Sequence, residues 1–344
     1  MDKLLAQLCA ARGVSGNEAA VREIILREAA PFAEKIESTP LGGVLVWKKG
    51  LARAKKALLL DAHMDEVGFL VTHVTEEGFL KFAPVGGVDA RVLPGRAVRV
   101  GDGPGIPGVI GAKPIHLLTK EERGRAVPGD DLYVDIGARD RADALRTVLP
   151  GDMVTFDSPY TDNGYTICGR ALDDRAGCAL LLHCIQREDW AYDAVFSFSV
   201  QEETGLNGAK TAAFAARPQA AIVVESTTAA DVPGTEKDDQ VCRLGAGPVL
   251  SFMDRRTIYD RAYARAAFDI ARQAGLPCQW KEAVAGGNNA GAIHQSRAGV
   301  RTAAVSLACR YLHAPVGVIR ASDYAAAQRL LPLLAAQIAS GALG

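Results

Sequence analysis

Apolar residues along this chain change their period twice. Near the N-terminus Leu4, Leu5 and Leu8 sit at helical spacing, and Ser15 with Glu18 has the S-x-x-E form of a capping box. Ala19, Val21, Ile24, Ile25 and Leu26 then predict a second amphipathic helix that stops before Pro31. The stretch "KKALLLDAHMDEVGFLVTHVT" reads as a buried strand, a polar interruption at 61–66 and a further strand. From about Gly68 to Tyr160 the texture becomes Gly- and Pro-rich with short alternating runs (GVIGAK, DLYVDIGA, DMVTFDS) and one short helical pattern, RADALRTVL. That is the pattern of a small β-domain. After residue 165 strands and helices alternate. Strands are expected at YTICGRALD, AVFSFSVQE, AAIVVES and VRTAAVSLA. Helices are expected at DRAGCALLLHCIQRE, Ala209–Ala216, YDRAYARAAFDIARQAG and ASDYAAAQRLLPLLAAQIAS. Alternation of this kind implies an α/β fold with a largely parallel or mixed sheet covered on both faces. The simplest arrangement is one α/β domain, residues 1–68 and 161–344, interrupted by a β-domain inserted at 69–160.

Composition narrows the classes. With 344 residues, 49% apolar and 23% charged, the chain has the material for a large core. A net charge of −1 gives no basic footprint for nucleic acid or an anionic membrane. No apolar run approaches the roughly 20 residues of a membrane span. The seven cysteines are scattered, odd in number and without a CxxC, so neither a disulfide framework nor a thiolate zinc site is expected, and a cytoplasmic location is.

Ionisable residues gather where strands end. His63 and Asp65 follow ALLLDA, Asp173 and Asp174 follow TICGRAL, Glu202 and Glu203 follow FSFSVQ, Glu225 follows AAIVV, and His313 follows VSLACRYL. In open α/β folds ligands collect beyond the carboxyl ends of strands. Taken singly, Asp174 reads as a helix N-cap as readily as a ligand, and His73, His116, His183 and His294 read as surface or core histidines. Taken together, the carboxylates would repel one another unless a cation sat among them. Histidine nitrogen and carboxylate oxygen without cysteine suit Zn²⁺, Co²⁺ or Mn²⁺. Adjacent residues at a strand end point in different directions, so one glutamate of the Glu202–Glu203 pair can bind metal while the other moves a proton.

With those residues in view, the chain resembles the dinuclear tetrahedral-aminopeptidase family, metallopeptidase family 42. That family includes glutamyl and deblocking aminopeptidases, many of them once labelled cellulase or glucanase. The resemblance spans nearly the whole chain and rests on GVSGNE (13–18), DAHMDEVGF (61–69), RALDDRAG (170–177), VQEETGLNGA (200–209), ESTTAADVPG (225–234), NNAGAIH (288–294) and RYLHAPVG (310–317). It implies a zinc-peptidase-like mixed sheet flanked by helices, with an inserted small β-barrel-like domain used for assembly into homododecamers built from dimers. It implies two divalent metal ions, zinc first and cobalt or manganese next. His63 and Glu225 would be terminal ligands of one ion, Glu203 and His313 of the other, and Asp173 would bridge them. Glu202 would be general base and acid toward a bridging hydroxide, and Asp65 would fix the tautomer of His63. A cis peptide at Asp173–Asp174 is implied as well. The chain departs from the family where it carries Glu225 for Asp, Asn288–Asn289 for Thr-Asp, and Ala314 and Gly317 for Ser and Glu.

The activity implied is removal of N-terminal residues from short peptides. A deacylase or carboxypeptidase on the same metals remains open. A glycoside hydrolase also uses paired carboxylates, but it needs no metal histidines. The substrate-binding residues are not identified by sequence; Arg255 and Arg256 are a candidate pair for an acidic side chain.

Overall fold

Four parallel strands form the spine of the protein: Ala194–Ser199, Leu58–His63, Ala220–Thr228 and Arg301–Arg310, neighbours in that order. The computed structural model describes residues 2–343. Every residue of Leu58–His63 is buried, as a continuous apolar run requires of a strand covered on both faces. Alternation along the strand divides its side chains. Leu58, Leu60 and Ala62 join the larger core, under the helices Lys3–Ala10, Ala19–Ala29, Leu172–Ile185 and Ala321–Ala339. Leu59 faces the smaller core, under Asn207–Ala216 and Ala290–Ile293. Antiparallel strands flank them, Val44–Lys48 and Lys35–Ser38 on one side and Gly317–Arg320, Thr166–Gly169 and Thr161–Asp162 on the other, and two short strands branching from Arg301–Arg310, Val249–Leu250 and Gln279–Trp280, bring the mixed sheet to eleven.

The Gly- and Pro-rich stretch folds into a closed antiparallel barrel. Its strands are Gly68–Val74, Leu80–Val85, Tyr133–Asp135, Ile106–Gly111, Ala97–Val100 and Met153–Phe156, in that order around the barrel. It has its own core, in which the Phe69 ring meets Phe82 and Phe156 edge-on at 4.8 and 5.4 Å. Closure leaves no unpaired strand edge. RADALRTVL contributes one helical turn, Arg141–Ala144. The chain enters the barrel directly from the carboxyl end of Leu58–His63, so barrel and strand ends are neighbours.

A buried ionic knot ties the N-terminus to this junction. Glu66 accepts from both Arg170 and Arg175, and from the Gly13 amide at 2.9 Å. The Arg175 guanidinium also donates to the carbonyls of Leu8 (2.6 Å) and Ala11 (2.8 Å), and Arg170 donates to that of Cys9 (2.9 Å). The last carbonyls of a helix lack intrahelical partners, and here two guanidiniums supply them.

The capping box does not form. The second helix starts at Ala19 without a side-chain cap. Ser15 donates instead to the fully buried Asp65 carboxylate, and Glu18 accepts from the Gly16 amide at 2.7 Å. A buried carboxylate left unsatisfied costs more than an uncapped helix end, so the hydroxyl goes to Asp65.

Candidate metal centre

Five segments bring the ionisable residues to one cleft of about 480 Å³, whose lining includes His63, Asp173, Glu202, Glu203, Glu225 and His313. His63 ends its strand. Glu225 lies inside Ala220–Thr228, two residues past the last pairing with Leu58–His63, where the longer strand stands proud of its neighbour. Glu202 and Glu203 follow Ala194–Ser199 through Gln201, whose φ is 55°. His313 follows Arg301–Arg310 and has a φ of 59° itself. Ala171, before Asp173, has a φ of 55°. Left-handed non-glycine residues are uncommon, and here they flank the ligand positions. The Asp173–Asp174 peptide is cis.

Asp174 takes the capping role. Its carboxylate accepts from the Gly177 amide at 2.9 Å and from His63 N at 3.3 Å. Gly177 is required there, because a Cβ would lie 2.3 Å from Asp174 Oδ1.

Asp173 lies between the two histidines. Its Oδ1 is 3.4 Å from His63 Nε2, and its Oδ2 is 3.4 Å from His313 Nε2. Glu225 Oε1 is 3.3 Å from His63 Nε2, and Glu203 Oε1 is 3.3 Å from His313 Nε2. The other ring nitrogens face main-chain carbonyls: His63 Nδ1 is 3.0 Å from Asp65 O, and His313 Nδ1 is 2.9 Å from Gly87 O. Those acceptors assign the proton to Nδ1 and leave the Nε2 lone pair facing carboxylate oxygens.

That arrangement suits a cation. Lone pair against lone pair is repulsive, and 3.3–3.4 Å is long for a charge-assisted hydrogen bond. Atoms each about 2.0–2.1 Å from a tetrahedral ion lie roughly 3.3 Å apart. Buried Asp173 Oδ1 has no hydrogen-bond partner among the described residues. Two ligand-capable groups, His63–Asp173–Glu225 and Asp173–Glu203–His313, share Asp173 and hold their atoms within 4.8 Å. The donor set therefore fits two divalent ions sharing one carboxylate.

Electrostatics point the same way. Burial pushes Glu202 up to about 8, helped by Glu203, Asp173 and Asp65 and opposed by His63. Burial also drives Glu225 well above the usual carboxylate range. Burial lowers the imidazole of His313, but Asp173 and Glu203 outweigh it and raise the group to about 11. Carboxyls driven up by burial, beside an imidazole driven up by the carboxylates around it, mark a cluster of ligand atoms short of positive charge.

Asp65 does more than the sequence assigned to it. Its carboxylate is 3.4 Å from His63 Nδ1, while its own carbonyl is the nearer acceptor. The carboxylate accepts from Ser15 and from the amides of Glu202 (3.0 Å) and Glu203 (3.1 Å). It thus fixes the main chain that aims both glutamates. Glu202 Oε atoms accept no hydrogen bond among the described residues; they face the cleft, and with His63 and Glu203 they make a third ligand-capable group. From the barrel, Gly86 and Gly87 pass close by, and a Cβ on Gly86 would come 3.2 Å from that of Glu203.

The departures have structural places. Asn289 is fully buried and donates to Asp61 (2.7 Å) and Ser199 (2.8 Å), so it holds a buried acid instead of lining the cleft. Asn288 lines the cleft and accepts from Tyr259 at 3.2 Å. Ala314 and Gly317 line a narrow space behind Asp173 and Glu203. Neither Arg255 nor Arg256 lines the cleft; the Arg256 stem packs behind Gly287, 3.0 Å from where its Cβ would be. Sequence reasoning missed Thr227, Lys281 and Tyr311, which do line it. Thr227 sits two residues past Glu225 on one strand and was within reach of a period-2 argument. Lys281 carries no local signal.

Residues 42–330 match the family model described as M42 glutamyl aminopeptidase. The glutamyl aminopeptidase of Lactococcus lactis subsp. cremoris is 29% identical, over 96% of this chain and 94% of that one. The lysyl aminopeptidase of Pyrococcus furiosus is 29% identical, over 93% and 92%. Among solved structures, a TET aminopeptidase from a marine-sediment Thaumarchaeota archaeon superposes with a TM-score of 0.94 at 34% identity, covering 99% of this chain and 97% of that one. The TET1 peptidase of Pyrococcus horikoshii, described as assembling into a tetrahedron or a large octahedral shell, gives 0.85 at 35% identity, covering 97% and 98%.

Proposed function

The chain belongs to the M42 peptidase family, and from that premise we propose that it is an aminopeptidase holding two divalent ions, zinc first, that removes N-terminal residues from short peptides. The observation that carries this is Asp173, one carboxylate oxygen turned to each of two histidines, with a further glutamate beside each. His63 and Glu225 would hold one ion and His313 and Glu203 the other, with Asp173 common to both. Bound there, the ions would polarise the scissile carbonyl and acidify the attacking water. Glu202 takes the proton from that water and returns it to the departing nitrogen. Asp65 keeps Glu202 and Glu203 aimed through their amides. Glu202→Gln is expected to retain its metal, by elemental analysis, and to lose about 10²–10⁴ in turnover. Full activity in that variant would remove Glu202 from the role.

Self-association through the barrel, up to a dodecamer, belongs to the same proposal. Val109, Ile115 and Leu117 are exposed on and beside its strands, in reach of another copy. Among the described residues no helix is long and apolar enough to cross a membrane, and none of the described cysteines is paired. A cytoplasmic location is part of the same proposal and rests on the cysteine usage of the sequence.

A further inference from the structure

The cleft that holds the two histidines is lined as well by a cation that the chemistry above does not use. Among the described residues lining the cleft, Lys281 is the one lysine, and there is no arginine. Its backbone is fixed: Lys281 N donates to Leu250 O at 2.8 Å, and the preceding Trp280 ring stacks between Phe252 and Phe268 at 4.1 and 4.8 Å. Its ammonium donates to Ala285 O at 2.6 Å, and no carboxylate pairs with it among the described residues. An ammonium has three donors, so two remain for the cleft. Burial lowers the group below the ordinary lysine range, opposed by Asp254, Cys242 and Glu225. A half-buried ammonium that no carboxylate touches among the described residues gains from a carboxylate that arrives to pair with it.

Resting on the peptidase reading, we propose that Lys281 is the specificity-determining residue of the cleft and takes a carboxylate of the substrate. Two parts of a peptide carry that group: the acidic side chain of an N-terminal residue, and the carboxy-terminus of a dipeptide. The relatives act on glutamyl and on lysyl ends, so the family does not fix the choice, and this side chain does.

The test is titration calorimetry of zinc-loaded protein in a Glu202→Gln background, which keeps the ligands intact. The probes are L-glutamate against L-glutamine, and L-alanyl-L-alanine against its amide. One pair is expected to favour the carboxylate by about tenfold or more. Lys281→Met is expected to abolish that preference and Lys281→Arg to retain it. Preference in the first pair assigns the side chain, and preference in the second assigns the carboxy-terminus. A lysine that only tethers the Ala285 loop would weaken both members of each pair alike. Equal binding within both pairs in the parent, or a preference that survives Lys281→Met, overturns the proposal. Hydrolysis of glutamyl-p-nitroanilide with Glu202 intact is scored separately. Its absence would count against the peptidase reading and leave the binding result to decide Lys281.

Discussion

At the residue scale, the centre is built from groups that look costly until they are read together. Asp173 sends one oxygen to each of two imidazoles whose protons are held on the far side by carbonyls. Asp173→Asn removes the shared charge from both ligand groups, and elemental analysis is expected to find fewer than two ions per chain. Retention of two would contradict the shared-ligand account. Ser15 is the outlying member of the network, since its hydroxyl satisfies the carboxylate that holds Glu202 and Glu203. Ser15→Ala is expected to destabilise by about 1–3 kcal/mol in chemical denaturation and to lower kcat more than it raises KM, with Ser15→Thr recovering both. The polar residues at strand ends were legible in sequence, because an acid or histidine closing an apolar run is conspicuous. The partners of those residues were not. Ser15 reads locally as a cap, and only the fold reveals that Asp65, fifty positions on, claims its hydroxyl. Asn289 likewise reads only as a departure from the family's Thr-Asp, whereas its amide serves buried Asp61.

At the element scale, the strands carrying the centre are long apolar runs, and their existence follows from pattern alone. The short edge strands Lys35–Ser38 and Gln279–Trp280 have no such signal, and pairing with a formed sheet is what makes them strands. The first helix is held at both ends. At its C-terminus, Glu66→Gln would leave Arg170 and Arg175 without their buried counter-charge. That change is expected to cost about 3–5 kcal/mol, read as a lower urea midpoint. At its N-terminus, Asp2 accepts from the amides of Leu4 and Leu5 and pairs with His183 at 2.7 Å. Burial raises the Asp2 carboxyl, but His183, the Leu5 amide and Tyr324 outweigh it and hold the group at about 2. A carboxyl depressed in the folded state stabilises above its ordinary value of 3.8, and that contribution fades as pH falls toward about 2. Asp2→Asn is therefore expected to flatten the stability profile across that window, and an unchanged profile would remove Asp2 from the account.

At the scale of the whole molecule, the barrel and the sheet are separate cores joined where the centre lies. The change of texture near Gly68 was visible in sequence because Gly, Pro and short alternating runs do not make helices. The contact that matters was not, since Gly87 reaches His313 across more than two hundred residues. Ions bound only by the folded chain raise its stability by mass action, by about 2.7 kcal/mol at a hundredfold excess over Kd. Chelation is therefore expected to lower the unfolding temperature as well as activity, and the self-association proposed for the barrel would appear as a particle near twelve chain masses in light scattering. The most direct test of the central claim is hydrolysis of aminoacyl-p-nitroanilides beside their N-acetylated counterparts, before chelation, after it, and after zinc is restored. Cleavage that requires both a free amine and the metal is the result this account predicts; cleavage that survives chelation, or that occurs only on the blocked substrates, would contradict it.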